Sequence, residues 1–88
     1  MSSYTIRLSR SAKRDMNKLP EKVRERALDF IYNVLSDNPQ RVGAPLHAPQ
    51  EGQHKAVTGS YRIIYRTIDA EVLVEVVRVA HRADVYRP

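Results

Sequence analysis

Near the N-terminus Tyr4, Ile6 and Leu8 alternate with Thr5, Arg7 and Ser9, the period-two pattern of a strand buried on one side. Ser9 or Ser11 can then cap a helix, its hydroxyl accepting from backbone N–H groups that lack an intrahelical partner. Ala12, Met16 and Leu19 follow at i, i+4 and i+7 and give that helix a narrow apolar stripe. Pro20 ends it and can open the next helix in its first turn, where a missing N–H is tolerated. The second helix has the clearest pattern, with Val23, Ala27, Phe30, Ile31 and Val34 along one face and Leu28, Tyr32 and Leu35 broadening it. Lys22, Arg24, Glu25, Arg26 and Asp29 face mostly outward, as on a helix that lies against a sheet. Asp37-Asn38-Pro39 closes it, because a residue before proline avoids the helical region.

The stretch from Pro39 to Gln53 holds three of the five prolines and two of the three glycines, which predicts an ordered loop with turns, pinned to the core by Leu46. A short strand from His54 to Val57 and a turn at Thr58-Gly59-Ser60 follow. Tyr61 to Ile68 and Val72 to Val79 then read as a hairpin. If Asp69 and Ala70 form its loop, Ile68 stands opposite Glu71, and alternation puts Ile63, Tyr65, Val72, Val74 and Val76 on one apolar face. Arg62, Ile64, Arg66, Leu73, Glu75 and Val77 share the other. This register leaves Arg82 at core parity, which an unpaired cation does not occupy. The last strand must therefore end near Val79 or Ala80 or contain a bulge, and a three-residue loop would shift every pairing. The order is βααβββ: an α+β fold with a helical hairpin packed on one face of a small, mostly antiparallel sheet.

Eighty-eight residues suffice for one domain, spanning 1–88, with a single modest core. There is no cysteine, hence no disulfide framework and no thiolate metal site. No apolar run approaches the roughly 20 residues of a membrane span, and Met1-Ser2-Ser3-Tyr4 lacks the apolar region of a signal peptide. A cytoplasmic protein with no membrane partner is expected. Fifteen Lys+Arg against ten Asp+Glu give a net charge of +5, which points to a polyanion or an acidic protein as partner. Eleven of those cations are arginine, whose planar fork fits phosphate in a way lysine does not. A GC-rich genome would raise arginine in the same way without selection for binding.

The functional signal lies in two runs, Gly59-Ser60-Tyr61-Arg62-Ile63-Ile64-Tyr65-Arg66 and Ala80-His81-Arg82-Ala83-Asp84-Val85-Tyr86. They set arginines, a histidine and a tyrosine at the edges of one hairpin. Cations on a rigid sheet suit phosphate recognition, and with a proton-transfer group beside them they suit phosphodiester cleavage. His47, His54 and His81 match no standard zinc spacing, so neither metal nor cofactor is expected.

In these runs, and in the order strand, two helices split by Leu19-Pro20, loop, short basic strand and hairpin, the chain resembles the RelE/ParE superfamily of bacterial type II toxins over almost its whole length. The resemblance implies a RelE-like domain. RelE-type members cut mRNA in the ribosomal A site by metal-independent attack of a 2′-hydroxyl on the adjacent phosphate, which inhibits translation. ParE-type members bind DNA gyrase and lack that catalytic set. By this likeness Arg62 contacts the scissile phosphate, Arg82 matches a second family arginine of the site at the end of the last strand, and Tyr86 stacks on a base or assists proton transfer. The spacing from Arg82 to Tyr86 is shorter here than in some members.

By the same likeness Lys55, on the short strand, matches one of the family's basic residues that orient the substrate and assist proton transfer. The adjoining basic position of some members is Gln53 here, so His54 and His81 are the other candidate acids and bases, since histidine titrates near neutrality. Arg66, Lys13, Arg14 and Lys18 are the expected RNA contacts, the last three within a basic run that extends from Arg10 to Lys22. Alternatives for these residues are an Arg62–Glu75 pair, a solvated helix face and a tyrosine covering the core edge. The implied partners are a cognate antitoxin and the ribosome with its mRNA, with DNA reached only through the antitoxin. A gyrase binder without nuclease activity, or a weakly active toxin serving mainly as the antitoxin's corepressor partner, are the other readings.

Overall fold

The structure, a computed structural model, describes residues 3–46 and 52–81. Strand β1 (Thr5–Leu8) leads into helices α1 (Arg10–Asn17) and α2 (Glu21–Phe30), and α2 runs on through a π-helical turn, Ile31–Leu35. A short helix α3 (Pro39–Val42) and a two-residue strand β2 (Ala44–Pro45) occupy the region predicted as loop. Strands β3 (His54–Thr58), β4 (Tyr61–Ile68) and β5 (Leu73–His81) complete a five-stranded sheet of order β1-β5-β4-β3-β2. Among the described strands only β1 against β5 is parallel, so the sheet is mostly antiparallel as expected.

Of the two possible caps, Ser9 is the one used: its Oγ accepts from the Ala12 N–H at 3.0 Å. The same hydroxyl donates to the Val77 carbonyl at 2.7 Å, and the Ser9 N–H donates to the Val76 carbonyl at 2.9 Å. These bonds matter because β1 covers β5 only from Leu73 to Val76. Six residues further along, Asp15 Oδ2 accepts from the Val79 N–H at 2.9 Å. Side chains of α1 therefore replace a strand along the outer edge of β5.

Ala12 and Met16 are buried and Leu19 packs beside them, the narrow stripe the spacing predicts. On α2 the buried line is Ala27, Ile31 and Leu35, narrower than expected, and Tyr32 and Val34 are exposed. The π turn explains this. Its wide i→i+5 bond, Ser36 N–H to the Ile31 carbonyl at 3.1 Å, stacks Leu35 under Ile31 and rotates Val34 outward.

The hairpin loop is longer than two residues. Asp69–Glu71 form one 3₁₀ turn, Val72 follows at φ 49°, and Ile68 pairs with Leu73. Val72 is thus a left-handed loop residue and not a core residue, an unusual place for a β-branched side chain. Ile63, Tyr65, Val74 and Val76 are buried on one face as the alternation requires. A bulge between Ile64 and Tyr65 then lets Val77 slip, which brings Val79 to the core and pairs Arg78 with Ile64. Leu46 is half-buried and lies outside the buried core. Its N–H donates to the Gln53 carbonyl at 2.9 Å, so backbone and not side chain fastens this segment.

Tyr65 supplies the firmer anchor there. Wholly buried, it donates its hydroxyl to the Pro39 carbonyl at 2.6 Å, and burial pushes that hydroxyl's pKa up from its ordinary value. Gly43 lies against it. A Cβ at Gly43 would collide with the tyrosine hydroxyl and come within 2.7 Å of the Lys55 carbonyl, so the glycine is required by close approach.

Candidate nucleic-acid interface

Residues paired across neighbouring strands share a face of the sheet. Ala56, Ile63 and Val79 form one such row, and His54, Tyr65 and Val76 another. Both rows belong to the side that packs on Ala12, Met16, Ala27, Ile31 and Leu35. The rows between them face the opposite way: Val57, Arg62 and Ala80; Lys55, Ile64 and Arg78; and Arg66, Glu75 and Arg7. This second face gathers four arginines, a lysine and one carboxylate.

Arg62 sits on β4 with Lys55 on the neighbouring strand β3. It is only 6% exposed, which is rare for arginine and means that its guanidinium is held in place rather than waving in solvent. The Arg62–Glu75 pairing is not what forms. Glu75 accepts instead from Arg66 Nε at 2.7 Å and from Arg7 Nε at 3.2 Å. Arg7 was missed by sequence reasoning, although its place among the polar positions of β1 already turned it away from the core.

The sheet separates the two described histidines from Arg62. His54 stacks on the Tyr65 ring, centroids 5.5 Å apart and planes 21° from parallel, on the helix-facing side. Its Nδ1 is buried with no hydrogen-bond partner among the described residues. His81 pairs with Tyr61 at the end of the sheet, edge to face at 5.2 Å. Arg82, Tyr86 and His47 lie outside the described residues. Lys13, Arg14 and Lys18 are all exposed on α1 or at its end. Arg78 reaches Asp15 with bonds of 2.8 and 3.3 Å, which hold its guanidinium even more firmly charged. Among the described residues no group of His, Asp or Glu side chains could hold a metal ion, and no helix is long and apolar enough to cross a membrane.

Comparison with known proteins agrees with this architecture. Residues 6–86 match the family model described as the ParE toxin of the type II toxin–antitoxin system parDE. The chain is 42% identical over 84 residues to toxin RelG of Mycobacterium tuberculosis, covering 96% of this chain and 97% of that protein. It is 37% identical to toxin RelE of the same organism, covering 96% and 87%. Among solved structures, the toxin–antitoxin complex RelBE2 from M. tuberculosis contains a chain of the same fold. The TM-score is 0.90 at 40% identity, over 96% of this chain and 97% of that one.

Proposed function

Because the chain belongs to the RelE/ParE superfamily of type II toxin–antitoxin toxins, we propose that it is a ribosome-dependent mRNA endoribonuclease of the RelE branch, acting in the cytoplasm and restrained by a cognate antitoxin. The observation that carries this reading is the shielded Arg62 guanidinium, with Lys55 on the same cationic face and Glu75 engaged elsewhere. A gyrase binder has no evident use for a fixed cation at that point.

In the proposed reaction the 2′-oxygen of one nucleotide forms a bond to the adjacent phosphorus as the P–O5′ bond breaks. The products are a 2′,3′-cyclic phosphate and a 5′-hydroxyl; the 2′-hydroxyl gives up a proton and the leaving oxygen gains one. Arg62 supplies donors fixed before the reaction where charge develops on the phosphoryl oxygens. Lys55 orients the substrate and is the amine on that face for proton transfer. His54 and His81 stand on the other side and are secondary candidates for that task. Arg82 and Tyr86 would add a second phosphate cation and a base-stacking or proton-transferring phenol. The exposed Lys13, Arg14 and Lys18 would meet RNA. Few proton-transfer groups suffice if the ribosome orients the RNA. The antitoxin inference rests on the related toxin having been solved as a toxin–antitoxin complex.

The family model's ParE name keeps one second reading, a toxin that binds gyrase without cutting RNA. Primer extension on a defined mRNA, with and without ribosomes, decides between them. Cuts that require ribosomes and fall by about a hundredfold or more in Arg62→Ala support the nuclease. Absence of cuts, together with inhibited gyrase supercoiling, replaces it by the second reading.

A further inference from the structure

A groove of about 420 Å³ lies at the end of the sheet, between the end of α1 and the Tyr61–His81 pair. We propose that it is a subsite for one unstacked nucleotide of the RNA, an inference that rests on the nuclease reading above. Its size falls within the roughly 300–1,000 Å³ range of small-ligand sites. Leu19 and Tyr61 give it apolar walls, and Lys18, Arg78 and His81 give it cations or donors.

Three features select a nucleotide. The first is the pair of rings. His81 is exposed, and Tyr61 holds it at 90° and 5.2 Å, so its orientation is set before any ligand arrives. A flat face presented in this way stacks on any base. The second is the charge arrangement. Arg78 is tied to Asp15, a locally neutral wall with a donor and an acceptor for a base edge. Lys18, exposed and in no ion pair among the described residues, is the cation left for a phosphate. The third is position. Tyr61 and Arg62 are consecutive on β4, with side chains on opposite faces, so RNA rounding this end of the sheet reaches both. With its phosphate on Arg62 and a neighbouring base drawn into the groove, the nucleotide is pulled out of the stack. An unstacked ribose is free to bring its 2′-oxygen into line with the leaving oxygen.

The test is a titration of the full chain with a trinucleotide whose central ribose is 2′-O-methylated and so cannot be cut. The NMR signals of the His81 imidazole and the Tyr61 ring are followed. They should shift, and affinity should fall about 5- to 150-fold when the central base is removed to leave an abasic residue, the worth of one stacked base. Tyr61→Leu should lose affinity to the same degree. Lys18→Glu, a change at an exposed position that leaves folding intact, should weaken binding as well. Equal affinity for the abasic ligand, or shifts confined to the Lys55–Arg62 face, overturns the subsite. The ribosome cleavage assay on wild type runs in parallel. Base-dependent binding in the groove without cleavage keeps the subsite and removes the nuclease, and cleavage with silent Tyr61 and His81 signals does the reverse.

Discussion

Replacing Tyr65 by phenylalanine removes one oxygen from the centre of the molecule and tests how the loop before β3 is held. The ring still fills its place, so no cavity opens. What is lost is the 2.6 Å bond to the Pro39 carbonyl, which is left buried without that donor, together with the hydroxyl's hydrogen bond with the Gly43 backbone. An unsatisfied buried acceptor costs about 1–3 kcal/mol. For a domain of this size each kcal/mol lowers Tm by about 4–8 °C. A pH dependence sharpens the test. Burial raises the folded-state pKa of this hydroxyl above its ordinary value near 10. Once pH exceeds that ordinary value, the unfolded chain releases the proton more readily than the folded one, so unfolding becomes easier. Stability from this group is therefore complete below about pH 10 and is lost as pH climbs through the folded pKa. Urea unfolding of both proteins from neutrality to strongly alkaline pH should show a gap that narrows above about pH 10, because only the wild type has this proton to lose. A Tyr65→Phe protein as stable as wild type at neutrality, or a gap that stays constant with pH, would refute the reasoning.

Two further outcomes follow from α1. Ser9→Ala should lower stability by about 1–2 kcal/mol in denaturant unfolding, since the hydroxyl both caps the helix and donates to Val77, whereas Ser11→Ala should change it little. Asp15→Ala should cost about 1–3 kcal/mol because it strands the Val79 N–H, while Arg78→Ala should cost about 0–1 kcal/mol, as for other exposed ion pairs. Equal losses in these thermal or denaturant melts would show that the ion pair, and not the edge cap, is what Asp15 contributes.

The faces of the hairpin were legible in the sequence even though its loop was not. Moving the partner of Ile68 from Glu71 to Leu73 is a slip of two, and a slip of two preserves which side chains point inward. Hence Ile63, Tyr65, Val74 and Val76 came out correctly and only Val72, at the loop itself, did not. The conflict at Arg82 left two ways out, a strand ending near Val79 or Ala80 or a bulge; β5 runs on to His81, and a bulge is present earlier in the strand. The π turn left no mark, because hydrophobic spacing cannot distinguish a buried Val34 from one rotated outward by a wider turn. Within the candidate site, Arg62 was proposed from the Gly59–Arg66 run and Lys55 from the resemblance, and the two share a face. The partition of the histidines from them depends on strand pairing, and the double engagement of Glu75 brings together residues 68 and 9 positions apart in the chain.

The way α1 treats the edge of β5 also decides where this sheet can grow. Ser9 and Asp15 occupy the hydrogen-bonding groups of Val76, Val77 and Val79, so another chain finds no row of open amides there to copy. At the opposite margin β2 pairs only with His54 and Lys55, and no described strand lies beside Ala56, Val57 and Thr58. Beyond the end of β1 the edge of β5 is therefore closed to strand addition, whereas the other margin ends in a three-residue step beside the half-exposed Val57.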